Sequence, residues 1–474
     1  MNRQIENLRR DWLRNTACGF GSLAATGLAT GSIPVFGSSN SDVLQHLVPK
    51  AKRIIFLFMQ GGVSHVDSFD YKKTLFDHDG EMHGFDDARI LANSGQRGSS
   101  QRIMKPLWEF AQHGECGRWS SDLFPQINRH VDDLCFIHSM HTEGVAHGPA
   151  TLFLHCGSTN FVRPSLGSWL HYGLGSANEN LPGFISISPS IGNGGPRNYG
   201  SAFLPAIHQG TPIGAAEVND KLTIRNLTPS AESSISQRSR LDLLQSLNRA
   251  QASARGHDSE WEAVIESYEM GWRMQSIAPG ILDLTTESEE TLKQYGIGEK
   301  ETDGYGRKCL LARRLCEAGV RFVQVNYGDN TANPAWDQHS NLPKHGEHAK
   351  AVDLPIAGLL ADLKQRGLLE DTIVWWGGEF GRTPYAQDNG TGRDHNPGGF
   401  TVWLTGGGLR SGISYGATDE FGHQAIVDKV HMHDLHATLL HLMGLDHERL
   451  TYRYAGRNFR LTDVHGRIIK EIIA

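Results

Sequence analysis

The chain has 474 residues, 39% of them hydrophobic and 20% charged, enough to bury a large core in one domain or two. A net charge of −7 without any basic block excludes a general nucleic-acid binder. Histidine is abundant, at 24 copies, which directs attention to metal or proton chemistry wherever imidazoles meet carboxylates.

Residues 1–36 read as an export signal. Arg9 and Arg10 precede Trp12 and Leu13, and a weakly apolar stretch rich in glycine, alanine and threonine follows to about Val35. Twin arginines before a modest apolar region resemble a Tat-type signal, which delivers folded proteins to the periplasm or beyond. No later stretch reaches the roughly 18 apolar residues of a membrane span, so no stable membrane insertion is expected. Cys309 and Cys316 sit on one expected helix with their Cα atoms about 10 Å apart, too far for a disulfide. No Cys-x-x-Cys zinc spacing occurs.

From residue 45 to 474 the chain reads as one α/β domain. Strands are expected at 53–60, 134–140, 183–188, 320–326, 372–376 and 400–404. Several are continuous apolar runs, the mark of strands covered on both faces. Helices are expected at 308–318, 350–366 and 434–443, the last with Asp434 as N-cap and Gly444 as stop. This alternation predicts a doubly wound, mostly parallel sheet flanked by helices. Residues 191–306, with glycine-rich loops and polar helices, read as an insertion or cap.

Ligands of such sheets bind beyond the carboxyl ends of the strands. The first strand is followed by Ser64, His65 and Asp67, and the second by His141, Glu143 and His147. Strand 320–326 is followed by Asp337, His339, His345 and His348. Strand 372–376 leads to Glu379, then to Arg382, Arg393, Asp394 and His395 in a glycine-rich loop. Each group alone reads as a capping or surface pair; four strand ends delivering histidine and carboxylate to one rim point to a metal. Oxygen ligands mixed with imidazole suit one or two divalent ions, Zn, Ca, Mn or Mg. Two ions would suit displacement at a phosphate or sulfate ester. A non-haem iron triad is set aside, because its usual all-β scaffold does not match this alternation.

The stretches FLFMQGGVSHVDSFDYK, WDQHSN, GGEFGRTP, GRDHNPGGFTVWLTGGG and GATDEFG, in this order, resemble the DUF1501 family, whose members are exported. The resemblance spans the chain after the signal and implies an alkaline-phosphatase/sulfatase-like fold with divalent metals at the strand ends. Carried over by position, it implies metal ligands at Asp337, His339, Glu379 and His395, with Asp394 beside the last. The usual early aspartate is replaced by Gly61-Gly62, so His65 and Asp67 are expected to substitute. The nucleophile position falls on His147, with Pro149 matching the motif's proline. No cysteine stands there, which excludes a formylglycine sulfatase. His147 is then a ligand, an acid/base or a nucleophile, with Ser64 or Thr151 as alternative hydroxyl nucleophiles. Arg382 and Arg393 are candidates to hold an anionic group bidentately. The expected function is metal-dependent hydrolysis of sulfate or phosphate esters, on sulfated or phosphorylated glycans. The alternative is a non-catalytic, metal-stabilised binding protein for polysaccharide or cell-surface material.

Overall fold

The computed structural model describes residues 44–85, 100–216, 222–224, 227, 234–255, 259–331, 333–387 and 391–474. The expected export signal lies outside them.

All six expected strands form: β1 (Arg53–Met59), β2 (Cys135–His141), β3 (Phe184–Ile187), then, after a short β4 (Thr211–Ile213), β5 (Phe322–Tyr327), β6 (Thr372–Gly377) and, after the hairpin β7 (Gly381–Ala386) and β8 (Arg393–Asn396), β9 (Phe400–Thr405). Two brief strands, β10 (Ile413–Tyr415) and β11 (Val430–His431), complete the central sheet. Its order is β10-β2-β9-β6-β1-β5-β3-β4, with β11 also paired to β2. β9 runs antiparallel to both β6 and β2, whereas the pairs β1–β6, β1–β5, β3–β5 and β3–β4 are parallel. The carboxyl ends of β1, β2, β5 and β6 therefore share one edge.

The flanking helices include α1 (His147–Cys156), α2 (Leu166–Leu174), α3 (Ser234–Arg255), α4 (Ser259–Leu282), α5 (Asp303–Glu317), α6 (Lys344–Gln365) and α7 (Met432–Leu442). The continuous apolar run of β1 has a simple cause. Ile54, Phe56 and Phe58 join a core with Leu154 of α1, Trp169 of α2 and Leu439 of α7. Ile55, Leu57 and Met59 join another with Leu311 of α5 and Ile356 of α6. Every residue from Ile54 to Met59 is buried, so the alternation of a half-exposed strand is absent. Phe56 stacks on Trp375 of β6 with ring centroids 3.6 Å apart.

Two local expectations change. Asp434 is not the N-cap of α7: His431 occupies that position, and Asp434 closes a capping box by accepting from the His431 backbone N–H at 3.0 Å. Within 191–306, Thr211–Ile213 joins the edge of the sheet beside β3, while α3 and α4 form two long helices. Three residues of strand are too few for an alternation to show in the sequence.

Candidate metal centre

The sheet edge gathers residues from three strand ends and a hairpin. His147 opens α1 shortly after β2, Asp337 and His339 lie on the loop after β5, Glu379 follows β6, and His395 sits in β8 opposite Arg382 of β7. Gly61 lets the chain leave β1 against this loop. Its φ is +114°, and a Cβ there would meet the Asp337 backbone nitrogen at 2.7 Å.

Three imidazoles converge on one carboxylate oxygen. Asp337 Oδ1 lies 3.1 Å from His147 Nε2, 2.8 Å from His339 Nε2 and 3.2 Å from His395 Nε2. The Nε2 atoms of His339 and His395 are 3.0 Å apart, and one ligand atom from each of the four residues lies within 4.8 Å of the others. Each ring is pinned from its far side. His147 Nδ1 donates to Glu379 Oε1 at 2.7 Å, His395 Nδ1 to the Val145 carbonyl at 2.9 Å, and His339 Nδ1 to Gln387 Oε1. A neutral imidazole that donates from Nδ1 carries a lone pair on Nε2. With all three rings neutral, three lone pairs and a carboxylate oxygen thus face one another, and the His147 Nε2 atom is buried without a hydrogen-bond partner. A cation relieves that repulsion, and the donor set fits one.

The electrostatics separate the rings. Burial pulls His395 down to about 3, with Arg382, His147 and His339 adding to the effect against the Asp337 contact, so the ring stays neutral and able to ligate. For His147, burial pulls down, but the Asp337 and Glu379 contacts outweigh it and the net shift is upward. Burial would raise Asp337, yet His147, His339, His395 and Arg382 hold its carboxyl well below the usual range. The group opens to solvent on one side, where the His339 side chain is 31% exposed while Asp337 is 1%.

Several residues named from the sequence are engaged elsewhere. Asp67 forms a fully buried pair with Arg393, Nε to Oδ2 2.7 Å, and its Oδ1 accepts from the Leu107 N–H at 3.0 Å. Ser64 Oγ donates to Asp67 Oδ2 at 2.5 Å and is fully buried, with Thr151 equally buried. His65 Nε2 donates to the Gly422 carbonyl at 2.7 Å, and its Nδ1 accepts from the Arg382 N–H at 3.4 Å, so both ring nitrogens serve backbone groups. Arg382 spends its guanidinium on the carbonyls of Gly61, Gly62, Trp336 and Arg393 and on Asp337 Oδ1 at 2.8 Å. Arg393 reaches, besides Asp67, the carbonyls of Thr383, Met104 and Lys105. Both arginines are wholly buried ties between loops, which leaves neither fork for an incoming anion. Asp394 Oδ1 accepts from the His395 backbone N–H at 2.7 Å and lies 3.5 Å from the His339 ring at Nδ1. Glu379 stands behind His147 and is not one of the four converging residues. Gln387 and the Val145 carbonyl escaped the sequence reading, because a lone amide just past β7 and a backbone oxygen carry no spacing signal.

A family profile for DUF1501, described as a protein of unknown function, matches residues 51–473. The chain belongs to the DUF1501 family. No curated protein sequence matches this DUF1501 chain. Among solved structures, it is similar to Ps i-CgsB at 13% identity and a TM-score of 0.37, covering 84% of this chain and 72% of that one. The PsFucS1 sulfatase from Pseudoalteromonas sp. gives 11% identity and a TM-score of 0.33 over 83% of this chain and 68% of that one. An alkaline phosphatase superfamily protein from Vibrio parahaemolyticus gives 9% and 0.36 over 86% and 71%. Among the described residues no helix is long and apolar enough to cross a membrane.

Proposed function

We propose that this DUF1501 protein is an exported metal-dependent hydrolase of sulfate or phosphate esters, with one divalent ion held by His147, Asp337, His339 and His395. The observation that carries the metal is the convergence of three Nδ1-anchored imidazoles on one carboxylate oxygen. Three nitrogen donors favour zinc or manganese over calcium or magnesium. An ion held there supplies a Lewis acid that polarises an ester oxygen and acidifies water.

The chain's own residues do the rest. Glu379, Gln387 and the Val145 carbonyl fix the rings. The exposed side of His339 is where a sulfated or phosphorylated glycan approaches. The buried hydroxyls of Ser64 and Thr151 leave water as the nucleophile, with His147 a ligand.

A second reading has its own observation. Four protein ligands close a tetrahedral ion, and structural sites are closed in this way. With Arg382 and Arg393 consumed internally, the same centre also suits a metal-stabilised binding protein for polysaccharide. Elemental mass spectrometry after zinc or manganese loading, followed by turnover of sulfated and phosphorylated glycans, separates the two. About one ion per chain with chelator-sensitive turnover supports the hydrolase. One ion with raised thermal stability and no turnover moves the assignment to the binding protein. No ion under any loading removes both.

A further inference from the structure

Resting on the metal-binding reading, we infer that Glu379 is the positioning residue of the centre: it sets the tautomer and orientation of His147 without itself ligating. Glu379 is fully buried, yet among the described residues no arginine or lysine forms an ion pair with it. Its partners are the Gly61 N–H, which donates to Oε1 at 2.9 Å and to Oε2 at 3.1 Å, and His147 Nδ1 at 2.7 Å. A buried carboxylate is tolerated only where donors satisfy it, and the imidazole N–H is the one side-chain donor here. The pairing is therefore reciprocal. Glu379 holds the His147 proton on Nδ1, and the Nε2 lone pair is thereby directed at Asp337 Oδ1, 3.1 Å away.

The placement is rigid as well as polar. Glu379 follows β6 directly, and Gly61 follows β1, the strand paired with β6 in parallel. Neighbouring Gly378 lies so near β1 that a Cβ on it would meet the Met59 carbonyl at 2.7 Å. Two adjacent strand ends thus grip the carboxylate before it meets the histidine. Neither of the other two rings has a carboxylate this close to Nδ1, the Asp394 oxygen lying 3.5 Å from His339 Nδ1. His395 leans on a backbone carbonyl and His339 on a neutral amide, and a carboxylate acceptor raises imidazole basicity more than either.

The test has two arms. Nitrogen NMR of histidine-labelled, metal-free protein reads the tautomer directly and needs no variant. Recorded above the pH at which the ring loses its second proton, His147 is expected as the Nδ1–H form; an Nε2–H form overturns the inference. In the second arm, zinc affinity is measured by chelator competition for the parent, Glu379→Gln and Gln387→Ala. Glu379→Gln is expected to weaken zinc by about 10- to 100-fold, and more than Gln387→Ala does. The zinc-induced rise in melting temperature is expected to shrink with it, beyond any change in the metal-free protein. A merely structural role would lower both states equally. Parental zinc affinity in a folded Glu379→Gln overturns the inference, whereas a parent that binds no zinc overturns the metal reading itself.

Discussion

Two groups of histidines in this protein look alike in the sequence and differ in kind. At the rim, His147, His339 and His395 surround a shared carboxylate oxygen, and each ring has an acceptor behind it. Around α7, the rings of His141, His431, His433 and His465 follow one another with centroids 5.0, 5.2 and 5.4 Å apart. Among the described residues no carboxylate oxygen gathers these rings as Asp337 does, Glu143 reaching only His431 at 3.9 Å. Asp434 spends its oxygens on the backbone N–H groups of His431 and Arg467. The Nδ1 atoms of His433 and His436 are buried without partners. His436 Nε2 simply donates to the Leu154 carbonyl at 2.8 Å. Burial leads for these rings: His436 is pushed down to about 4, and His433, with other imidazoles adding to burial, to about 2. His147 is as deeply placed but shifts upward, because two carboxylates face it. Histidine density marks neither group as a site; the acceptors around the rings do.

The largest effect is expected at the shared oxygen. Asp337→Asn keeps the shape and removes the charge, so zinc affinity should fall by more than the roughly 10- to 100-fold that loss of an outer partner costs. Because Arg382 would be left buried against a neutral amide, stability should also drop by about 3–5 kcal/mol in chelator. Calorimetric zinc titration and urea denaturation measure the two losses. An unchanged zinc affinity would erase the distinction between the two histidine groups.

Next in size is Asp67→Asn, which breaks the buried pair with Arg393. Unfolding free energy is expected to fall by about 3–5 kcal/mol, while elemental analysis still finds the parental metal content. Loss of metal from a folded variant would return Asp67 to the ligand set.

The smallest effect per residue is the pH response of the metal-free protein. His138, His155 and His436 are held neutral by burial, each pushed down to about 4. Below the unfolded value near 6.5, the unfolded chain takes up protons that the native state refuses. Stability is therefore present above about pH 6.5 and lost as pH falls toward about 4. Each such histidine should contribute roughly 2 kcal/mol of loss by pH 5. Urea denaturation in chelator at pH 7 and pH 5 reads the sum, and His436→Gln should make the profile shallower. A flat profile would show that burial does not govern the α7 rings.

The sequence by itself determined the sheet and the neighbourhood of the site. Continuous apolar runs can be satisfied only by strands covered on both faces, and the ends of parallel strands must open on one edge. Asp337, His339, His395 and His147 were nameable from that logic. What those side chains do was decided only by tertiary structure. Asp67 and Arg393 are 326 positions apart and His65 and Gly422 are 357 apart, so no local pattern shows that an expected ligand is already paired. Glu379 reads as a strand-end ligand until Gly61 and His147 close around it. The reason is physical. Strand propensity and burial are properties of a segment, whereas a polar side chain's role depends on which donors and acceptors the folded chain brings within about 3 Å of it.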